Sequence, residues 1–586
     1  MGLEEANLHF TLILMRHFDK MGKLKQFINK FAENPVYLFI LLITVNMLPI
    51  IGLFMTEPFN LLGKIILVAF PFGLYLVLYS LSKKIGLIGV LLFPLLFFHA
   101  FQMVVFSLFG EDVISADMFL NLLTTSVSEA GEVLDSLLPA VFFVIVVYIP
   151  TTILSYRAMK KGTFLAIKFR YNACLTGAVL ILASYVLSFF GLNYNTKRFA
   201  FHEDVYPLNM FYNLDFAIDH WRASQDYHNN AANFTFDAKR IDTTNQREIY
   251  VIVVGETART ENWSLAGYER ETTPLLAQDT NIVFFRDAIT QSNATHKSVP
   301  IILSAASAEN YDLIYHQKSI VTAFKEVGFS TVFLSNQAAN RTFTDFFAQE
   351  ADVYEYYRFF GKTDNNYDEV LVDKMKHYIE RIEGDIFFVI HTYGSHFNYT
   401  ERYPKEFARY TPDVIPGINK KYIAEMMNAY DNTLLYTDYL LNKITTILED
   451  TDACTAMFYC SDHGEDLLDD NRERFLHASP KPTFYQLRIP FFFWFSPAYK
   501  ETFPEKTMYA TKHKDMAVAT NLVFHSMLDV AGISAKCSYP HLSIVNEDFK
   551  EPVRMFLDDH YEPIPFANSG LKKQDLEMLD KRNMKY

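Results

Sequence analysis

Ile249-Tyr-Val-Ile-Val-Val-Gly255-Glu256-Thr257-Ala-Arg259 carries an apolar, mostly β-branched run straight into a glycine, a carboxylate and a hydroxyl. A strand buried on both faces reads this way, and the rim where it ends is where open α/β sheets hold their ligands. Two later runs repeat the pattern: Ile386–Ile390 leads into His391-Thr-Tyr-Gly-Ser-His396, and Thr455–Cys460 into Ser461-Asp462-His463-Gly464-Glu465. Strand patterns at 249–254, 282–285, 330–334, 386–390, 455–460 and 489–495 alternate with helical ones at 298–306, 317–326, 366–382, 420–449 and 515–530. That alternation predicts a doubly wound α/β sheet. Its strand ends would deliver Glu, His, Asp and His to one edge, and these are zinc-ligand types.

Outward from this core, a chain of 586 residues is long enough for two or three domains. Acidic residues outnumber basic ones by 67 to 53, a net charge of -14, which argues against nucleic-acid binding because that needs a basic face. The apolar excess lies mostly before residue 195. There a basic leader (Arg16, Lys20, Lys23, Lys25, Lys30) precedes apolar stretches at 35–55, 61–81, 85–109, 136–155 and 173–193, each about 20 residues, enough to cross a bilayer. Lys83, Lys84 and the group Arg157, Lys160, Lys161, Lys168, Arg170 mark cytoplasmic loops, whereas 110–135 holds acidic residues and no Lys or Arg. The positive-inside rule then predicts a cytoplasmic N-terminus and an extracytoplasmic soluble part. The expected organisation is a five-helix membrane domain at 1–194, a bridging segment at 195–246 and a catalytic domain at 247–586. Cys174, Cys454, Cys460 and Cys537 have no CxxC spacing and are expected to be buried free thiols, although a bridge to Cys537 stays open.

Outside the cytoplasm there is no ATP to draw on, so phosphate- or sulfate-ester chemistry needs a metal and a covalent nucleophile. Glu256, Asp462 and His463 offer three protein ligands, leaving a position for a hydroxyl. Thr257 adjoins Glu256, but neighbouring residues rarely aim at one ion. Thr295, in Ser292-Asn-Ala-Thr295-His-Lys-Ser-Val-Pro300, is the better nucleophile: Pro300 predicts a helix start, and Thr295 would lie in the loop before it, where free N–H groups favour a phosphoryl group. Lys297 and Ser298 would add charge and hydrogen bonds. His391 and His296 read as structural.

Gly255-Glu-Thr-Ala-Arg259, Thr295 with Ser298-Val-Pro300, Gly394-Ser-His396, Asn428 to Asp438, Ser461 to Glu465, and Leu476-His477 with Pro482, Gln486, Pro490 and Trp494 together resemble the phosphoethanolamine transferases. These belong to the alkaline phosphatase and sulfatase superfamily and include lipid A enzymes and mobile colistin-resistance proteins. The resemblance extends over almost the whole chain. It implies that Glu256, Thr295, Asp462 and His463 hold one catalytic zinc, with a second ion open, and that Thr295 is the nucleophile. His396 and His477 would contact the phosphoryl group, hold the second zinc, or act as acid and base. Asn121, Thr125 and Glu129, at helical spacing, match a polar trio that would meet the ammonium or lipid headgroup. The resemblance also departs in two places. Asn293 and Ile301 stand where the lipid A enzymes usually carry cysteines, and Arg341 stands in for a substrate-binding lysine. The resemblance and the loop charges together imply a monomer in the bacterial inner membrane with its catalytic domain in the periplasm. It would move phosphoethanolamine from phosphatidylethanolamine to lipid A or a lipopolysaccharide sugar. The rivals are a phosphoglycerol transferase of the same superfamily and a non-catalytic envelope sensor. A sulfatase is disfavoured because no Cys or Ser is followed by x-Pro-x-Arg.

Overall fold

A computed structural model describes residues 33–57, 59–110, 112–124, 138–190, 201–358 and 366–586, grouped in two compact units, 1–114 with 137–213, and 115–136 with 214–586.

The first unit is helical. Among the described residues, four helices, or five if one bent pair counts as a single span, are long and apolar enough to cross a membrane. They follow the sequence pattern closely: Pro35–Thr56, broken near Met47, Leu61–Ser80, the pair Ile85–Leu91 and Phe93–Phe109 bent by 58°, Ala140–Lys161, and Ile167–Ser188. Pro94 sits in the first turn after the bend, where its missing N–H costs nothing. Ile51, Met55, Leu61, Phe142 and Leu182 point apolar side chains outward, which suits lipid rather than water as the solvent. The last helix begins earlier than hydropathy predicts. Arg170, a loop residue by charge, donates from Nε to Ser80 O at 2.8 Å and from Nη2 to Leu81 O at 2.7 Å, satisfying carbonyls at the end of helix Leu61–Ser80.

The second unit is built on a seven-stranded sheet. In chain order its strands are β1 Glu248–Gly255, β2 Ile282–Phe284, β3 Ser330–Ala338, β4 Val353–Arg358, β5 Ile386–His391, β6 Cys454–Ser461 and β7 Phe491–Phe495. Across the sheet they run β2-β7-β6-β1-β5-β3-β4. The sheet is mixed, since β7 is antiparallel to both β6 and β2. β4 has no apolar run in the sequence because it is a half-exposed edge strand, Val-Tyr-Glu-Tyr-Tyr-Arg.

Both faces of the sheet are covered. Tyr250, Ile252 and Val254 pack into one core, and Ile249, Val251 and Val253 into another, so the alternation of side chains along β1 explains why the run is apolar throughout. Among the described helices of this unit, those used below are α1 Ala116–Thr124, α2 Thr295–Leu303 and α3 Ile423–Glu449.

Strand register aligns the residues that leave the sheet. Val254 pairs with His391 and Gly255 with Ser461, while Ser335 pairs with His391. The ends of β1, β5 and β6 are therefore level to within one residue, β3 runs three residues further, and the residues after them emerge along one edge. Gly394, in the turn after β5, has φ 51°, and a Cβ there would lie 2.7 Å from the Glu256 carbonyl oxygen. Gly394→Ala should therefore cost about 1–3 kcal/mol, read as a lower thermal-unfolding midpoint of the purified full chain. An unchanged midpoint would show that this edge yields easily.

Candidate active site at the strand ends

Two strand ends and one helix start contribute the groups. Glu256 follows β1, Asp462 and His463 follow β6, and Thr295 is the first residue of α2. Thr295 Oγ1 lies 3.1 Å from His463 Nε2 and 3.4 Å from Glu256 Oε1. His463 Nε2 lies 3.2 Å from Asp462 Oδ2 and 3.6 Å from Glu256 Oε1. The structure thus gathers all four sequence-predicted ligands.

The local chain explains how they converge. Thr257 adopts φ 54°, a strained choice for a β-branched residue. There its N–H donates to Asp462 Oδ1 at 3.2 Å and its carbonyl accepts from Tyr430 Oη of α3 at 2.8 Å. Asp462 Oδ1 also accepts from the His463 N–H at 2.7 Å. Ser298 Oγ donates to the Asp462 carbonyl at 2.5 Å, tying α2 to the end of β6. Helix α2 starts at Thr295, earlier than Pro300 suggested, with Pro300 in its sixth position. Proline cannot donate to the His296 carbonyl, and the Tyr311 hydroxyl does so at 3.4 Å.

Histidine protonation follows from partners. His463 Nδ1 faces the Gly464 carbonyl at 2.9 Å; a carbonyl only accepts, so Nδ1 carries the proton and Nε2 turns a lone pair to the site. Burial lowers the His463 pKa to about 4, so the ring is neutral near pH 7. Burial, reinforced by the Asp462 carboxylate, raises the Glu256 carboxyl well above its ordinary range. Asp462 Oδ2 is buried with no hydrogen-bond partner. Electron-rich atoms facing one another in low dielectric are stabilised by a shared cation, and this donor set suits zinc. Glu256, His463 and His477 also place a ligand atom each within 4.8 Å of one another.

His477 stands between Leu476 and Ala478, with φ of 69° and 58°. Its ring lies 4.1 Å from that of His463, and Nδ1 is 3.2 Å from Glu465 Oε1. His396 Nδ1 donates to the Phe397 carbonyl at 2.7 Å, and its ring stacks on Tyr393. Burial lowers His477 to about 4 and His396 well below the usual range.

These groups open on a cleft of about 130 Å³ lined by Asn121, Glu256, Thr295, His296, Gln337, His391, His396 and His477, among others. Of the polar trio, Asn121 lines the cleft, and Thr125 and Glu129 lie outside the described residues. Two expected substrate contacts are elsewhere. Lys297 is 1% exposed and held by Asp117 and Asp558, because its position on α2 faces inward. The exposed Arg341 lines a neighbouring aromatic slot with Trp221, Tyr311 and Tyr561, not the cleft. Gln337, unforeseen, donates from Nε2 to Glu256 Oε2 at 2.7 Å and faces His391 Nε2 at 3.2 Å. Its sequence signal was its place two residues beyond Ser335. The four cysteines are free.

Residues 248–533 match the sulfatase family, described as "Sulfatase". The chain is 32% identical over 302 residues to the Kdo(2)-lipid A phosphoethanolamine 7''-transferase of Escherichia coli K12, covering 50% of this chain and 52% of that one. It thus spans about half the length of the curated relatives it matches. The zinc complex of the C-terminal periplasmic domain of EptC from E. coli superposes with a TM-score of 0.52 at 26% identity, covering 58% of this chain and 97% of that one. The integral membrane lipooligosaccharide phosphoethanolamine transferase A of Neisseria meningitidis superposes with a TM-score of 0.68 at 22% identity, covering 86% and 97%, and so shares the fold.

Burial raises Glu465 to about 8. A carboxyl raised in the folded state contributes stability that is full below its unfolded value near 4.5 and is lost as pH rises toward 8. Metal-free Glu465→Gln protein should therefore lose less stability than metal-free wild type between pH 5 and 8, by on the order of 1 kcal/mol per pH unit. Parallel melting curves across that range would refute the assignment.

Proposed function

Since residues 248–533 are a sulfatase-family domain in a chain that also carries helices of membrane-spanning length, we propose a membrane-anchored transferase. It moves phosphoethanolamine from phosphatidylethanolamine, through a phosphothreonine at Thr295, to lipid A or a lipopolysaccharide sugar. The observation that carries this reading is the convergence of the Thr295 hydroxyl with His463 Nε2 and Glu256 Oε1 at 3.1 and 3.4 Å. The names of the relatives agree with the group transferred. The loop charges support an extracytoplasmic catalytic unit, and on this reading it lies in the periplasm with its anchor in the inner membrane.

Glu256, Thr295, Asp462 and His463 would hold one zinc ion, with His477 at hand for that ion or a second. Zinc bound there supplies Lewis acidity and lowers the pKa of a ligated hydroxyl. The protein's own groups do the rest. Thr295 Oγ1 forms a bond to phosphorus as the bond to the diacylglycerol oxygen breaks, and the Thr295 proton ends on that oxygen. His463 Nε2, unprotonated and 3.1 Å from the hydroxyl, orients it. His396 and His477, neutral through burial, relay the proton, and in the second half take one from the acceptor hydroxyl as Thr295 regains its own. The Thr295 and His296 N–H groups at the start of α2, where Ala294 gives no side-chain cap and its carbonyl accepts from the Lys297 and Ser298 N–H groups, would face the phosphoryl oxygens. Asn121 would meet the donor headgroup.

Thr295→Ala should abolish transfer while the protein keeps its fold. Mass spectrometry of outer-membrane lipids from cells carrying wild type or variant reads this directly. The wild type adds one phosphoethanolamine and the fragment bearing it names the acceptor. Continued modification by Thr295→Ala would remove the covalent step, and a phosphoglycerol adduct would favour the alternative donor. Modification absent with wild type as well would favour a sensor.

A further inference from the structure

Asp117 on α1 holds two consecutive side chains of α2 with one carboxylate. Its Oδ2 is 2.6 Å from Lys297 Nζ and its Oδ1 is 3.0 Å from His296 Nε2. Both ionic groups are buried, Asp117 at 4% and Lys297 at 1% exposure. The ammonium also donates to the Asp558 carbonyl at 2.9 Å and lies 5.4 Å from the Tyr561 ring centre. Neither Asp117 nor Lys297 lines the cleft, but the residues beside them do. His296 follows Thr295, and Asn121 stands one helical turn beyond Asp117.

We propose, resting on the transferase reading above, that Asp117 is a positioning residue for group transfer. Through Lys297 and His296 it fixes the first turn of α2, and with it the direction of the Thr295 hydroxyl. Through α1 it fixes the cleft wall that carries Asn121. The carboxylate touches neither Thr295 nor the cleft. Its leverage comes from geometry, because sub-ångström misplacement of a nucleophile lowers a rate while leaving the fold intact.

The competing role is neutralisation alone, in which Asp117 only compensates a buried ammonium. The two roles separate in the double variant Asp117→Leu with Lys297→Met. A buried ion pair replaced by apolar side chains of similar size often leaves stability unchanged or raised, so mere neutralisation predicts wild-type transfer. Positioning predicts that the full-length double variant binds zinc at wild-type stoichiometry and melts near wild type, yet its kcat falls on the order of tenfold to a hundredfold. Transfer is measured with vesicles of phosphatidylethanolamine and phosphatidylglycerol, and intact mass follows the loading of Thr295. Wild-type kcat in the double variant overturns the proposal. If that variant does not fold, Asp117→Asn, which keeps the shape and an acceptor for His296 but removes the charge, must still slow loading severalfold, and a wild-type rate from it likewise overturns the proposal. A wild-type chain that never loads Thr295 overturns the transferase reading itself, and this one with it.

Discussion

Two carboxylates and an unprotonated imidazole nitrogen, all buried, meet at the end of one sheet, and the rest of the catalytic unit is arranged around keeping them there. Glu256 and Asp462 sit at 1% and 0% exposure, where each would repel the other in low dielectric. The chain answers with held geometry. Level strand ends bring β1 and β6 together, Gln337 clamps one oxygen of Glu256, and two backbone N–H groups fix one oxygen of Asp462. The oxygen left over on Asp462 faces the same point as His463 Nε2. An arrangement that is unfavourable without a cation, and firmly held, is what a metal site with an open position for a hydroxyl requires.

Much of this was legible in the sequence because strands buried on both faces advertise themselves. The runs ending at Gly255, Ile390 and Cys460 carry no charged residue, and a carboxylate or histidine soon after such a run has to lie at the sheet's edge. The helical spans were equally plain, as lipid-facing helices have no polar stripe. What the pattern left out was polarity-mixed or conformational. The edge strand Val353–Arg358 is half exposed, so its tyrosines and charges mask it. The reversal of β7 cannot be read from Phe-Phe-Phe-Trp-Phe, which is apolar in either direction. Arg170 looked like a loop charge, since hydropathy cannot see that a guanidinium caps a neighbouring helix.

Charge without a partner was the sequence's weakest guide. Lys297 stands two residues after Thr295, and proximity along the chain suggested a phosphate contact. On a helix, however, residues at i and i+2 point to different faces, so one of the two had to turn inward, where burial then demanded a counterion. That counterion, Asp117, is 180 residues away in a segment whose neighbours in sequence are membrane helices. The long-range pair belongs to topology, not to local pattern. The same holds for Arg341, whose backbone at φ 60° is pinned by Asp345 and whose carbonyl accepts from Gln225.

The bracing of the nucleophile loop shows how one substitution of chemistry can serve the same end. The resemblance would put cysteines where Asn293 and Ile301 stand here. Ile301 is fully buried in the core on one face of the sheet and contributes packing. Asn293 works harder for its size: Nδ2 donates to the Ser479 carbonyl at 2.8 Å and to Gln486 Oε1 at 2.7 Å, and its own carbonyl accepts from Ala478 N–H at 3.0 Å. Those bonds land within and just after the strained turn that presents His477, whereas a cystine between 293 and 301 would close only the nucleophile loop on itself. The loop bearing Thr295 and the loop bearing His477 are thereby held by one residue, so displacement of either moves the other. With all four cysteines free, this coupling owes nothing to the redox state of the compartment.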